Sequence, residues 1–289
     1  MILFECLLWG VGNPISKIGM QHMPAFWCIG LRFALSFVVF ILIFGKRVKA
    51  HFPRGNALCW LSICVFNGLA FIFANLALDN TGATVASFLM AISVVFTPLT
   101  SRLLLGHKSG LKTYCCILVV LAGLFFLCGN DGEFTFGKGE IFALLCSACL
   151  GLSLTLTSKY IEFIDPIFLA TAQSGVAAVL SIAGALIFRS PLTAASFDLP
   201  AIGTILYTAL ACTVAAYLLQ NTAMRHISAV FASVVFCSEP VFTAIASFFM
   251  LKERLSLRGV LGAVLIIAGV VLASFLQMKE SNEIPPEAE

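Results

Sequence analysis

Apolar runs follow one another along nearly the whole chain, separated by short polar breaks. They lie at about 2–20, 25–45, 56–77, 82–105, 111–129, 138–159, 166–188, 199–220, 228–251 and 257–277. Each approaches the ~20 residues that a helix needs to cross ~30 Å of hydrocarbon, so the pattern predicts an all-α polytopic membrane protein with ten transmembrane helices. The breaks hold turn-forming and charged residues: Gln21-His22-Met23-Pro24, the segment 46–56, Asp79-Asn80-Thr81-Gly82, Gly106-His107-Lys108-Ser109-Gly110 and Gly129-Asn130-Asp131-Gly132-Glu133. Hydrophobicity continues far beyond the first run, which argues against a signal peptide leading a soluble domain.

Composition sharpens this picture. Of 289 residues, 60% are hydrophobic and 11% charged, against roughly 25% charged in an ordinary soluble domain. A soluble helical domain would lack polar surface. Most of the 11 cysteines sit inside apolar runs, where a thiol acts as a small hydrophobe. None joins His or Asp at ligand-like spacing, so neither a disulfide framework, a metal site nor a cofactor is expected. The net charge of +3 comes from basic residues spread over the connections, which gives no surface for nucleic acid.

Shifting the chain by 146 residues superimposes the fourth and fifth runs on the ninth and tenth. Ala83, Ala86 and Ser87 meet Ala229, Ala232 and Ser233; Val95-Phe96-Thr97 meets Val241-Phe242-Thr243; Ala122-Gly123 meets Ala268-Gly269. The beginnings match at a slightly smaller offset, Ser16-Lys17 and Pro24 with Ser158-Lys159 and Pro166, so a four-residue loop insertion later in the second half reconciles the two. Residues 1–130 and 137–277 thus read as two five-helix repeats, and 278–289 as a polar, acidic, proline-bearing tail of disordered composition. Five spans is an odd number, so the second repeat enters the membrane upside down. Inverted repeats of this kind recur in secondary transporters.

The basic loop with Lys46, Arg47, Lys49 and Arg54 is expected in the cytoplasm, and both termini with it. Lys108, Lys112, Lys159, Arg225 and Lys279 fall on the same side, Asp131 and Glu133 on the other. The bias is weaker in the second half, where Lys252, Arg254 and Arg258 fall outside beside Glu253. A bacterial inner membrane is the expected location.

Leu8-Trp9-Gly10-Val11-Gly12-Asn13, the region of Arg32, Ser93-Val94-Val95-Phe96-Thr97-Pro98, Ser238-Glu239-Pro240-Val241-Phe242 and Leu251-Lys252-Glu253-Arg254-Leu255-Ser256 together resemble the EamA family of the drug/metabolite transporter superfamily. Each motif is short, and their order, spacing and duplication carry the resemblance over almost the whole chain. His107-Lys108 stands where this family often has Gly-Glu-Lys or Gly-Glu-Arg, so the first copy lacks the acid that the second keeps as Glu253. The resemblance implies a ten-helix carrier of small metabolites, often amino acids or related compounds, in a superfamily that also holds drug, sugar-phosphate and nucleotide-sugar transporters.

Ionisable groups in lipid are costly and face protein or water. Glu5, Lys17, Arg32, Arg102, Glu140, Lys159 and Glu239 lie in or near the runs. Lys17 and Lys159 are repeat equivalents suited to interfacial anchoring. Arg32, about two turns into its helix, suits an internal hydrogen bond, a gate or a substrate contact. Glu239 precedes Pro240, which cannot donate a helical hydrogen bond; kink, gate and proton coupling all fit this pair, and Glu5 is the other candidate for proton coupling. Pro14 and Pro98 interrupt their helices similarly. Trp9 and Asn13, four apart, share a helix face and with Asn75, Ser87, Tyr207, Tyr217, Gln220 and Ser233 are candidates for a cavity lining, although Tyr217 and Gln220 also suit an interface. For each of them helix packing is the plainer role. Gly123 and Gly269 suit close helix contact, within a monomer or a homodimer.

The leading expectation is a secondary transporter of a small organic solute, with lipid and solute as partners and with proton or counter-substrate coupling open. The runs lack an evident Lys/Arg cluster, which favours a neutral or zwitterionic solute. No Walker A sequence is present, which disfavours built-in ATP-driven transport. All four histidines lie in or beside loops, which disfavours an enzyme, and no repeated selectivity-filter element suggests a channel.

Overall fold

The structure, a computed structural model, describes residues 1–53, 55, 57–106, 110–128, 137–252 and 256–283. Among them are ten helical segments: α1 (Ile2–Met20), α2 (Ala25–Ala50), α3 (Ala57–Asn80), α4 (Ala83–Leu105), α5 (Leu111–Cys128), α6 (Lys138–Tyr160), α7 (Pro166–Ile187), α8 (Leu199–Ala223), α9 (Ala229–Met250) and α10 (Leu257–Glu283). Seven of these are long and apolar enough to cross a bilayer; the apolar stretches of α5 and α10 are shorter, and α1 carries Glu5 and Lys17. The distribution of side chains is that of a protein dissolved in lipid. Leu42, Leu103 and Phe249 lie largely exposed, whereas Ser36, Asn67, Gln173 and Thr213 are fully buried. Only an apolar solvent accommodates such an exterior, and only helices satisfy the backbone within it.

Helix ends follow local chemistry. Asp165 caps α7, accepting from the Ile167 and Phe168 N–H groups, with Pro166 at the first helical position; Asp198 caps α8 through Ala201, and Ser228 caps α9 through Phe231. The expected basic loop is largely helix, because α2 runs through Ala50 and holds Lys46, Arg47 and Lys49 in its last turns. These are good helix formers, and their charge suits a helix C-terminus. Helix α10 likewise continues through Glu283, beyond the boundary expected for a disordered tail. Arg54, Lys108, Asp131, Glu133, Glu253, Arg254 and the last residues of the tail lie outside the described residues.

Helices α4 and α9 are each interrupted near mid-length, α4 at Ile92 and α9 at Cys237-Ser238. The two breaks are repeat equivalents. Pro240 has no N–H for the Phe236 carbonyl and Pro98 none for that of Val94. Helix α8 holds a different irregularity, a π-helical turn over Leu210–Ala215, where the sequence reading expects plain helix.

Contacts between helices repeat under exchange of the halves. Helix α3 packs on α6 as α8 packs on α1; α1 packs on α9 as α6 packs on α4; α2 meets α7, and α5 meets α10. At the last crossing Gly123 lies against the Gly262 carbonyl and Ile266, while Gly269 lies against the Cys116 carbonyl and Val120. Each partner is its counterpart's residue shifted by 146, which is the reciprocity of a two-fold contact. The α2–α7 crossing is also reciprocal, at a shift of 145, with Gly30 on Ile182 and Gly175 on Phe37. A Cβ at Gly123 would stand 2.8 Å from backbone atoms of α10, so these small residues set the helix separation within one chain.

Two measurements check this frame. Cysteines placed as Asp79→Cys, at the end of α3, and Arg225→Cys, just past α8, in a background without exposed thiols, are expected to react with an impermeant reagent from opposite membrane faces; reaction from one face contradicts the inversion. At the α7 cap, burial works to raise the Asp165 carboxyl, but hydrogen bonds from Arg47, Phe168 and Ile167, with the Arg47 charge, outweigh it and hold the carboxyl below its ordinary range. A depressed acid stabilises the fold above its unfolded value of about 4 and loses that contribution as pH falls. Asp165→Ala should therefore cost about 1 kcal/mol near neutrality, and the melting difference from wild type should shrink on acidification.

Candidate functional site

The site begins with the π turn of α8. Its wider winding leaves the Cys212 carbonyl free of the α-helical ladder, and two side chains from the other half take it: Trp9 Nε1 at 2.8 Å and Arg32 Nη2 at 3.0 Å. Arg32 Nε donates to Thr213 Oγ1 at 2.8 Å, and Thr213 in turn donates to the Thr208 carbonyl, five residues back. Ser36 bonds the Ala209 carbonyl, while Tyr207 Oη and Cys212 Sγ bond the Leu8 carbonyl. The irregular turn thereby locks α8 onto α1 and α2. π turns frequently mark functional positions.

Above this lock is a cavity of about 580 Å³, counting its open mouth. Trp9, Gly12, Asn13 and Ser16 of α1, Arg32 of α2, Phe71 and Asn75 of α3, Cys212 of α8 and Glu239 of α9 contribute to its wall. Ala70, Ala74, Leu78, Met90, Cys146 and Leu150 supply an apolar side from α3, α4 and α6. Ser16, Asn75 and Leu78 lie close to the ends of α1 and α3, so the cavity extends from mid-membrane toward the face where those helices end.

Two charged side chains of opposite sign share this wall. Arg32, 6% exposed, has the Phe33 and Phe71 rings about its guanidinium, at 5.0 and 4.9 Å from their centroids. Its bonds to Thr213 and Cys212 occupy two of five N–H donors. Glu239 Oε1 accepts from Asn13 Nδ2 at 2.8 Å; the same amide lies 3.0 Å from Ser87 Oγ and 3.1 Å from Thr243 Oγ1. The ion pairs found among the described residues are His22 with Asp198 and Arg47 with Asp165. Arg32 and Glu239 are therefore not paired with each other.

Below the cavity floor Trp9 and Phe71 belong to an aromatic cluster. Trp9 contacts Phe71 and Phe236, and Phe71 contacts Phe33 and Tyr217, with centroids 5.2–6.0 Å apart. This plug draws on α1, α2, α3, α8 and α9, hence on both halves. Farther along the same direction, Arg47 meets Asp165, and Arg225 bonds the Ile164 carbonyl. The protein is thus closed toward the face where α2 and α8 end.

Of the residues singled out from the sequence, Trp9, Asn13, Arg32, Asn75 and Glu239 come together on the cavity wall. Ser87 stands behind Asn13, bonded to it. Tyr207, Tyr217, Gln220 and Ser233 lie outside the lining: Tyr207 bonds α1, Tyr217 bonds Asn67 within the plug, and Gln220 and Ser233 are fully buried between helices rather than at an interface. Pro240 sits at the α9 break, whereas Pro98 lies within α4, past its break at Ile92; neither is on the wall. Lys17 and Lys159 bond the carbonyls of Thr81 and Leu104. Phe71, Thr213 and Thr243 are not among the sequence candidates for the site, although the repeat gives hints, since Phe71 aligns with Tyr217 and Thr97 with Thr243 at the 146-residue shift. Nothing in Leu210–Ala215 signals a π turn.

A membrane-embedded polar cavity at the junction of two exchanged helical units defines a polytopic membrane transporter. The model of the EamA-like transporter family matches residues 1–129 and again 137–275, and the chain belongs to that family. An Archaeoglobus fulgidus protein named "Uncharacterized transporter" is 29% identical over 271 residues, spanning 93% of this chain and 82% of the relative. An Escherichia coli protein named "Probable amino-acid metabolite efflux pump" is 25% identical over 297 residues, with 95% and 94% covered. A solved structure matches with a TM-score of 0.79 at 17% identity over 96% of both chains, which concerns the fold alone.

The Asn13–Glu239 bond gives a direct test. Asn13→Ala leaves the Glu239 oxygen without its donor, at an expected cost of about 1–3 kcal/mol. Adding Glu239→Gln removes the charge that needed the donor, so the double variant should melt above Asn13→Ala alone. Simple additivity of the two losses would contradict the pairing.

Proposed function

We propose that the protein is a secondary transporter of small zwitterionic solutes, amino acids or closely related compounds, working by alternating access between units 1–130 and 137–277. One observation carries this reading: an unpaired guanidinium, Arg32, and an acid, Glu239, share the wall of one cavity that also has an apolar side. A zwitterion offers a carboxylate for the remaining Arg32 donors and an ammonium for Glu239, and its side chain meets Ala74, Leu78, Met90 and Leu150. Asn13 and Trp9 position these groups. Charge-assisted bonds of this type are the strong ones, and their mutual neutralisation favours a zwitterion over a singly charged solute. The name of the Escherichia coli relative agrees with this class.

The positive-inside rule puts the Lys46, Arg47 and Lys49 end of α2 in the cytoplasm. Both termini then lie inside, in a bacterial inner membrane, and the cavity faces out. The opposite state requires the aromatic plug to part while the outer half of the cavity closes, with α4 and α9 able to bend at their breaks, Ile92 in α4 and Cys237-Ser238 beside Pro240 in α9.

Purified protein in sealed vesicles, screened by counterflow with amino acids and other metabolites, tests the reading. Saturable exchange of zwitterions is expected, and Arg32→Ala should raise the apparent KM by about 10–100-fold, the equivalent of a lost charge-assisted bond. Glu239→Gln should weaken zwitterions more than their deaminated analogues. Absence of saturable exchange for every solute tried would remove the proposal.

A further inference from the structure

Glu5 does not line the cavity, yet it is the most completely enclosed acid among the described residues. It is fully buried, and both carboxyl oxygens lack a hydrogen-bond partner. Glu5, Trp9 and Asn13 recur every four residues along one face of α1. Asn13 faces the cavity, Trp9 forms its floor, and Glu5 lies on the far side of that floor, outside the lining. The titratable groups facing it are Glu239 from α9, Tyr217 from α8, and Cys6 with the amino terminus from α1 itself. Arginine and lysine supply no ion pair to it among the described residues.

An ionised carboxylate in that enclosure has no hydrogen-bond donor and no cation at ion-pair distance among the described residues; the amino terminus faces it from farther off, and another acid, Glu239, stands near. Such burial of an unpaired charge is strongly unfavourable. A metal cation does not resolve it, since hard cations need six or more oxygen ligands and, among the described residues, no group of three His, Cys, Asp or Glu side chains is placed to hold one. A single proton does.

We propose that Glu5 is a proton-binding site sealed behind the aromatic plug, and that its proton is what permits the plug to close. When the plug parts, Glu5 meets water from the opposite face and can ionise; the ionised form then opposes resealing. Proton binding and plug closure are thereby linked, each favouring the other by the same factor. The pH on the plug side sets how much of the protein holds its cavity open to the other side. This rests on the two-state part of the transport reading and not on the identity of the solute.

Two measurements test it without any solute. Infrared spectra of the purified Glu239→Gln variant, in which Glu5 loses the neighbouring acid but keeps its burial and lack of partners, should show at neutral pH the carbonyl stretch of a buried neutral carboxylic acid, absent when Glu5→Gln is added. Ala74 is a partly exposed position on the cavity wall, so modification of the thiol of Ala74→Cys, in otherwise wild-type protein, by a polar reagent and read by mass spectrometry reports how far the cavity stands open. That modification, divided by its value with Glu5→Gln added at the same pH to cancel thiol ionisation, should fall several-fold from about pH 6 to about pH 9. A constant ratio, or no neutral-acid band in Glu239→Gln, overturns the proposal. If Glu5→Gln does not fold, the band and its loss on raising the pH of the Glu239→Gln sample decide alone. Failure of counterflow with these results intact would instead remove only the solute assignment.

Discussion

The Cys212 carbonyl is the point on which the candidate site depends. In a regular helix it would be spent on its own ladder; in the π turn it is left to accept from Trp9 and Arg32, which come from different helices of the other half. That one acceptor fixes the floor of the cavity and the position of its cation together. A free backbone carbonyl inside lipid is costly unless it is satisfied, so the irregular turn and the two side chains require each other. The arrangement also explains how an arginine is kept at mid-membrane without an acid beside it. Its charge is spread over a carbonyl dipole, a hydroxyl and two aromatic faces, leaving donors directed to the cavity.

Much of the architecture was legible because it rests on period and composition. Helix number, the repeat and the turning over of the second half follow from run lengths and a near-constant offset, and Gly123 and Gly269 stand out in the sequence as contact residues although their partners do not. The site was legible only in part. Trp9 and Asn13 could be paired by helical spacing, and Arg32 and Glu239 by the cost of charge in lipid, but a convergence of α1, α2, α3 and α9 is a tertiary fact with no local signature. Tyr217 and Gln220 illustrate the limit: near the end of an apolar run a polar side chain suits an interface, whereas here both turn inward, where Asn67 gives Tyr217 a partner. The π turn is hidden for another reason. Leu210–Ala215 has neither glycine nor proline, and its winding answers to donors that lie about 180 to 200 residues away.

A sequence repeat with two-fold contacts need not give a symmetric molecule, and this one is open on one side only. The aromatic plug shows how. Phe71 and Tyr217 exchange with each other under the 146-residue shift, but Phe236 exchanges with Met90, and the packing of Gly10 on Phe242 and Gly151 on Phe96 relates Trp9 to Leu150, one residue away from the register that matches Ser16-Lys17 with Ser158-Lys159. Met90 and Leu150 line the cavity. The closed side is therefore built from rigid rings, and the corresponding positions on the open side carry flexible aliphatic chains.

That difference bears on the energetics of the proposed cycle. If the two states were related by a perfect exchange of halves, they would be equally populated and no solute would be needed to choose between them. Replacing two rings by Met90 and Leu150 weakens the second seal, because aromatic pairs add about 0.5–1.5 kcal/mol beyond the area they bury. The sealed plug is then the resting state, and the aliphatic seal forms only with help from a bound solute or from ionisation of Glu5. Asymmetry written into an inverted repeat in this way gives the cycle a preferred starting point while keeping both states within reach, which a carrier needs and a static membrane scaffold does not.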